Sequence, residues 1–299
     1  MRVKIWGARG SVPSPGPETY RYGGNTTCVQ VTLDSGQVLV LDAGTGIRNV
    51  GLLLLGERRP INVLLTHLHL DHIQGLMFFA PLFTPRQEVT VWGPPSPDGS
   101  LRERLARYVS APLSPVEINE LPSNVTFKEI EERTFTIGDA TIVAEPVAHR
   151  GPTFGYRITE GDQSLCFLPD HEPAIGTPLD VLEPSWISGF GIAHSASLLV
   201  HDCQYTDDEY REKVGWGHSC LTDALTFARR AEARRLMLFH HDPMHSDDFL
   251  DRMGGKIATE WALLGGDPQD VQLAVELAEF DLGSAGAASG SEPALAQPT

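Results

Sequence analysis

The stretch Thr66-His67-Leu68-His69-Leu70-Asp71-His72 sets three histidines and an aspartate within six positions. Imidazole nitrogen and carboxylate oxygen are donors for zinc, iron or manganese. The stretch directly follows the apolar run Ile61-Asn62-Val63-Leu64-Leu65, which reads as a buried strand. His67 and His69 are two residues apart on an extended segment, so their side chains can converge. Asp71 and His72 fall where a helix could begin and can address a second point in space. One histidine here would read as an ordinary surface residue. Three, with an aspartate at this spacing, predict metal binding.

A catalytic metal needs at least three protein ligands and an open position, and a pair needs more. The later chain offers candidates, each at the end of a strand-like run. His149 follows Pro146-Val147-Ala148, Asp170 follows Cys166-Phe167-Leu168-Pro169, and His240 and His241 follow Leu236-Met237-Leu238-Phe239. Taken singly, each reads as a loop histidine or a helix-capping aspartate; their shared placement at strand ends points to ligands. A further segment, Gly215-Trp216-Gly217-His218-Ser219-Cys220, precedes helical apolar spacing over residues 221–233. There His218 is either a helix cap or a functional group.

The elements that must position these residues follow from pattern. Strands are expected at 2–6, 28–33, 38–41, 61–65, 89–93, 125–130, 134–137, 141–146, 154–158, 165–168, 197–200, 236–239 and 271–275. Helices are expected at 74–83, 101–109, 221–233 and 249–264. Residues 7–17 and 22–27 are turn-rich loops, and Asp34-Ser35-Gly36-Gln37 is a hairpin turn. Asp42-Ala43-Gly44-Thr45-Gly46 lacks a P-loop lysine and reads as a plain turn before a helix. No repeat of solenoid period is present. One domain is expected over 1–282, followed by a disordered tail over 283–299, rich in Gly, Ala, Ser and Pro.

The 299 residues are 41% hydrophobic and 21% charged, which suits a soluble globular enzyme with a full core. No apolar stretch is long enough to span a bilayer, and Met1-Arg2-Val3-Lys4-Ile5-Trp6 enters a strand pattern without a signal-peptide region. Cys28, Cys166, Cys203 and Cys220 show no paired spacing, so buried thiols in a reducing compartment, the cytoplasm, are expected. The net charge of −16 repels phosphate backbones unless a basic patch is segregated. Arg229-Arg230 and Arg234-Arg235 read as a solvated helix face, so long nucleic acids are disfavoured as substrates.

The metal motif resembles the His-x-His-x-Asp-His signature of the metallo-β-lactamase superfamily. A glycine- and proline-rich loop, a hairpin, Asp42-x-Gly44-x-Gly46 and then the motif resemble its phosphodiesterase branch. That branch contains RNase Z, the class II cyclic-nucleotide phosphodiesterases and the phosphodiesterase of the carbon–phosphorus lyase pathway. The resemblance implies an α/β (α+β) fold, the four-layer αββα metallo-β-lactamase sandwich, with two metals at one edge. It implies that His67, His69 and His149 hold one metal, that Asp71, His72 and His240 hold the other, and that Asp170 bridges them. His240 is preferred to His241 because Leu236-Met237-Leu238-Phe239-His240 matches a strand ending in Thr-His, with Phe239 in the threonine slot. His171 stands where the branch commonly has threonine, which leaves it to support a ligand.

By the same resemblance His218 is the acid that protonates the leaving oxygen. Asp202 orients it, because His201-Asp202-Cys203-Gln204-Tyr205 is similar to the branch's His-Glu-Ala-Thr-Tyr. With Asp71, these are the expected catalytic groups. The expected activity is a binuclear metal-dependent phosphodiesterase using two divalent ions, zinc first and manganese second, that supply hydroxide for attack on phosphorus. RNase Z carries a tRNA-gripping arm between the residues matching His149 and Asp170. Only 21 positions (170 − 149) separate them here, which favours a small phosphodiester such as a cyclic nucleotide. Dimers are common in the branch, so a second copy of the chain is a candidate partner. Three alternatives stay open: an RNase Z-like nuclease, a lactonase or thioesterase of the same fold, and a non-catalytic metal-containing sensor.

Overall fold

In the computed structural model, which describes residues 1–283, two seven-stranded sheets lie back to back. The first half of the chain supplies β1 (Arg2–Gly7), β2 (Cys28–Thr32) and β3 (Val38–Leu41), each antiparallel to the last. Three parallel strands extend that sheet, β4 (Ile61–Leu64), β5 (Glu88–Gly93) and β6 (Asn124–Glu129). Helices α1 (Ile47–Leu53), α2 (Leu70–Ile73) and α3 (Leu101–Ala106) lie in their connections. The second half repeats the plan. An antiparallel run of β7 (Thr134–Ile137), β8 (Ala140–Pro146), β9 (Phe154–Glu160) and β10 (Gln163–Leu168) comes first. Parallel β11 (Leu198–Asp202), β12 (Leu236–Phe239) and β13 (Val271–Leu273) then follow. Between them run α4 (Phe190–Ala193), α5 (Asp207–Tyr210), α6 (Leu221–Arg230) and α7 (Asp247–Leu263). A last strand, β14 (Glu279–Asp281), returns to pair with β1.

Sequence and burial agree on why the layers form. Strands covered on both faces need apolar residues throughout. Val38-Leu39-Val40-Leu41 and Leu236-Met237-Leu238-Phe239 are buried at every position. The inner faces meet in one core, where Val3, Val31 and Leu39 share a cluster with Ile142, Tyr156, Phe167 and Met237. Each outer face packs on helices: Val40 and Val63 with Ile47 and Leu105, and Leu199 and Leu238 with Leu225, Phe227 and Trp261. Helix α6 buries Leu221, Ala224, Leu225 and Ala228, the i, i+3, i+4, i+7 stripe of a helix lying on a sheet. The order helix, sheet, sheet, helix is the expected four-layer fold.

The structure departs from the sequence pattern in several places. The helix expected at 74–83 is two short 3₁₀ turns, Leu76–Phe78 and Ala80–Phe83. Pro81 cannot donate a helical hydrogen bond and its ring would clash with the preceding turn, so one continuous helix cannot pass through it. Strand β14 and helices α4 and α5 were not anticipated, being three or four residues long, too short for a period to register. The arginine face is not simply solvated. Arg230 donates to the Leu179 and Leu182 carbonyls, and Arg229 to those of Leu264 and Gly265, so both fasten chain turns. All four cysteines are buried and unpaired. No helix among the described residues is long and apolar enough to cross a membrane. The expected tail lies, apart from Gly283, outside the described residues.

What the fold does for function is local. Parallel strands end together, and the loops beyond their carboxyl ends form one edge. Asp42 follows β3, His67 follows β4, Asp170 follows β10 and His240 follows β12, while Asp202 closes β11.

Candidate metal centre

His69 is the extended residue that precedes α2, and Asp71 and His72 occupy the helix's first turn. His67 and His69 therefore point from extended backbone while Asp71 and His72 point from a helix, as the spacing suggested. The two pairs meet on opposite sides of Asp170. Its Oδ2 lies 3.7 Å from His67 Nε2 and 3.6 Å from His149 Nε2. Its Oδ1 lies 2.9 Å from His72 Nε2 and 3.3 Å from His240 Nε2. His69 Nδ1 stands 3.2 Å from His149 Nε2, and Asp71 Oδ2 stands 3.3 Å from His240 Nε2. Two sets result, His67, His69, His149 with Asp170, and Asp71, His72, His240 with Asp170. Within each, the donor atoms lie no more than 4.8 Å apart.

These residues fit divalent ions. His67 Nε2, His72 Nε2 and Asp170 Oδ1 are buried and make no hydrogen bond among the described residues. His72 Nε2 is near enough to Asp170 for an ion pair but out of hydrogen-bond geometry. Buried polar atoms left without a partner cost about 1–3 kcal/mol each, and a cation at each set would use all three. The electrostatics agree. Burial pushes His67, His69 and His149 below the ordinary imidazole range, so they are neutral and free to donate a lone pair. Burial pushes the Asp170 carboxyl up, but the imidazoles of His240, His72 and His67 outweigh it and hold the group well below the usual carboxylate range. Burial likewise opposes charge on His72, yet the carboxylates of Asp170, Asp71 and Asp42 push it well above the usual range. The pocket thus demands positive charge.

A ring nitrogen faces an ion only if the other nitrogen is held. His72 Nδ1 donates to Asp42 Oδ2 at 2.8 Å, and Thr66 Oγ1 accepts from His67 Nδ1 at 3.1 Å. His149 Nδ1 donates to the Gly217 carbonyl at 2.7 Å, and His240 Nδ1 to Gln204 Oε1 at 3.1 Å. The Ser11 amide donates to Asp71 Oδ2 at 2.7 Å. Two glycines are required by these contacts. A Cβ on Gly10 would come within 2.5 Å of the His240 ring, and one on Gly217, at φ +93°, within 2.5 Å of His149 Nδ1. Asp42 and His240 themselves adopt φ near +60°, a strained backbone for residues with side chains.

His240 and His241 are now separated. His241 turns away and donates from Nε2 to the Ala274 carbonyl at 2.8 Å. His171 also faces away from the cluster. Its Nδ1 donates to His201 Nε2 at 2.9 Å, and its amide to Asp202 Oδ2 at 3.2 Å.

Beside the two sets stands His218. Its ring stacks on His240 at 4.9 Å and meets His149 edge-on at 5.0 Å. Asp202, His218 and His240 also lie within 4.8 Å of one another, so His218 borders the second set. Its Nδ1 donates to Asp202 Oδ2 at 2.6 Å, while Asp202 Oδ1 accepts the amides of Gln204 and Ser219. Burial pushes His218 down, but the Asp202 carboxylate prevails and raises it to about 9.

Four residues of the site escaped the sequence reading. Asp42 reads in the sequence as part of a plain turn, although a carboxylate at the end of the strand beside β4 is a usable signal. Glu172 is a buried carboxylate that accepts the Tyr210 hydroxyl and the amides of Gly215 and Gly217, thereby shaping the 213–218 loop. Gln204 supports His240. Arg9, fully buried, donates to the carbonyls of Gly23, Asp242 and His245 and pairs with Asp247, pinning the 7–17 loop over the site. Nothing in one sequence marks these three.

Known proteins resemble this chain in sequence and in fold. The model of the beta-lactamase superfamily domain covers residues 38–241. A ribonuclease Z of Natronomonas pharaonis is 24% identical over 290 residues, covering 83% of this chain and 89% of its own. One of Gemmatimonas aurantiaca is 27% identical over 289 residues, covering 82% and 90%. A solved diphosphatase of the PhnP family superimposes with a TM-score of 0.65 at 18% identity, covering 94% of this chain and 97% of its own. With the family model spanning both halves of the ligand cluster, the chain belongs to the β-lactamase superfamily, in the metallo-β-lactamase branch that holds phosphodiesterases and RNase Z.

Proposed function

We propose that this protein is a binuclear metal-dependent phosphodiesterase whose substrate is a small phosphodiester, such as a cyclic nucleotide. The observation that carries it is the pair of ligand sets sharing Asp170, with an aspartate-anchored histidine alongside. His67, His69 and His149 would hold one ion, Asp71, His72 and His240 the other, and Asp170 both. The all nitrogen and oxygen donor set suits zinc first and manganese second. When bound, such a pair supplies hydroxide near neutral pH and positive charge for the phosphoryl oxygens.

The remaining steps fall to the chain. Asp202 ties down His218 Nδ1, and His218 Nε2 makes no hydrogen bond among the described residues. In this reading Nε2–H protonates the departing alkoxide, and Asp202 fixes the ring's tautomer and direction. His149, held by the Gly217 carbonyl, and His240, held by Gln204, keep the ligand geometry rigid. A reducing compartment such as the cytoplasm goes with this reading, given four buried unpaired thiols.

A second reading is favoured by the relatives called ribonuclease Z: cleavage of precursor RNA. Against it, the chain between His149 and Asp170 is spent on β9 and β10 of the core sheet, and the net charge is −16. Assays of cyclic nucleotides, linear dinucleotides and a tRNA precursor against metal-loaded protein distinguish the two. Turnover of a small diester with higher kcat/KM supports the first reading; a higher value for the precursor supports the second. His218→Ala tests the acid. It should slow a cyclic nucleotide about 10²–10⁴-fold and an activated nitrophenyl ester far less, because nitrophenolate leaves without a proton. Equal losses on both would remove His218 from that role.

A further inference from the structure

A cleft of about 400 Å³ opens beside the ligand cluster. Leu68 and Leu70, which line it, flank His69, and Pro152, also lining it, comes three residues after His149. The Phe154 amide donates to the Thr66 carbonyl at 2.9 Å, which seats that loop against the metal motif. The opposite wall is the end of α3 and the turn after it, with Arg107, Tyr108 and Leu113. Tyr108 Oη donates to the Gln74 carbonyl at 2.7 Å, fastening this wall to the end of α2. The cleft is thus built by the element that carries Asp71 and His72, and its size falls in the range of small-ligand sites.

Its lining combines apolar side chains with polar and charged ones. Leu68, Leu70, Ile73, Leu113 and Pro152 give the cleft apolar surface, with Leu70 and Leu113 62% and 70% exposed, and Ser96, Asp98 and Tyr108 add polar groups. Large apolar side chains held open around a concave site gain by covering a ligand. Two guanidinium groups reach the cleft, with different commitments. Arg104 bonds to the Gly99 and Pro94 carbonyls and to Glu129, so it is structural. Arg107 is exposed, and among the described residues its side chain donates to the Asp98 carbonyl alone. A planar guanidinium of this kind stacks on an aromatic ring. The metal motif would take the phosphate, and the cleft adjoins it through Leu68 and Leu70, the neighbours of His69.

Resting on the phosphodiesterase reading, we infer that this cleft binds the nucleobase of a nucleotide diester, between the leucines and the Arg107 guanidinium. Specificity then resides in α3 and the turn after it, not in the ligand cluster.

Two esters with one leaving group provide the test: thymidine 5′-(p-nitrophenyl phosphate) and methyl p-nitrophenyl phosphate. The thymidine ester should have a kcat/KM at least ~10-fold higher, mostly through KM, as base stacking of modest strength gives. Arg107→Ala and Leu113→Ala, both at exposed positions, should bring the ratio near 1. Arg102→Ala, on the same helix but outside the cleft, should keep the wild-type ratio. Calorimetric titration with thymidine 5′-monophosphate and methyl phosphate gives a readout independent of turnover, with the same preference and the same loss in the two variants. A chain that hydrolyses neither ester yet shows that binding preference disproves the phosphodiesterase reading and keeps the cleft. Hydrolysis of both without preference, or a preference that survives both substitutions, overturns the cleft assignment.

Discussion

Glu172→Gln isolates one buried carboxylate. Glu172 Oε1 accepts the Tyr210 hydroxyl at 2.7 Å and the Gly215 amide at 2.8 Å, and Oε2 accepts the Gly217 amide at 2.8 Å. All three partners are donors. Glutamine keeps the shape but offers one oxygen and one NH₂. With its oxygen toward Gly215, the NH₂ faces the Gly217 N–H. With the amide flipped, the Tyr210 hydroxyl can rotate to accept, but the Gly215 N–H loses its acceptor. Either way one loop amide is left unpaired, costing about 1–3 kcal/mol. Stability should fall by roughly 2 kcal/mol, a few degrees in Tm. The consequence for the site is larger than the fold suggests. The same loop supplies the Gly217 carbonyl that holds His149 Nδ1 at 2.7 Å. Loss of such a support typically lowers metal affinity about 10–100-fold. Zinc content should be measured after dialysis against buffers of graded free zinc, with thermal unfolding in parallel. The variant should lose its weaker-held ion first, from the set containing His149, while the set around His72 and His240 stays filled. Wild-type zinc affinity at both sets would mean that Glu172 does not hold His149 in place, however much stability it contributes.

Other outcomes follow from the same contacts. Wild type should bind about two metals per chain, as a two-metal mechanism requires, and Asp170→Ala should lose the bridge and nearly all activity; unchanged metal content and turnover would refute the binuclear assignment. His240→Ala should lower metal content far more than His241→Ala, since His241 is bonded to the Ala274 carbonyl and faces away. The reverse order in a metal assay would contradict the register of β12. His201 provides a pH test. Burial pushes it down to about 4, against about 6.5 for an unfolded chain. Below pH 6.5 the unfolded chain takes up the proton first, so His201 favours unfolding increasingly down to about pH 4, by roughly 3 kcal/mol over that window. In metal-free protein the urea midpoints of wild type and His201→Gln should therefore converge as pH falls from 7 to 5, and a constant gap would show that burial of His201 is not the cause.

The local part of this protein was legible in one sequence. Ile61 to His72 specifies its own geometry, because an apolar strand, a two-residue histidine spacing and a helix start are short-range features. Most strands were legible for the same reason, since a buried parallel strand must be apolar throughout. Helix 74–83 failed where Pro81 overruled an apolar pattern, and β14 failed because three residues carry no period. His149, Asp170, Asp202, His218 and His240 were visible only as single candidates, grouped by resemblance to a family. Tertiary structure alone decided which oxygen of Asp170 faces which histidines, and that His240 rather than His241 turns inward. The reason is distance along the chain. Gly10 must vacate space for His240, Gln204 must meet its Nδ1, Asp42 must meet His72, and Glu172 must shape a loop more than forty residues on. Asp42 meets His72, Gln204 meets His240 and Glu172 meets its loop only once neighbouring strands of a sheet have paired, and Gly10 meets His240 only once the two sheets have packed, so no spacing within a single element encodes these contacts.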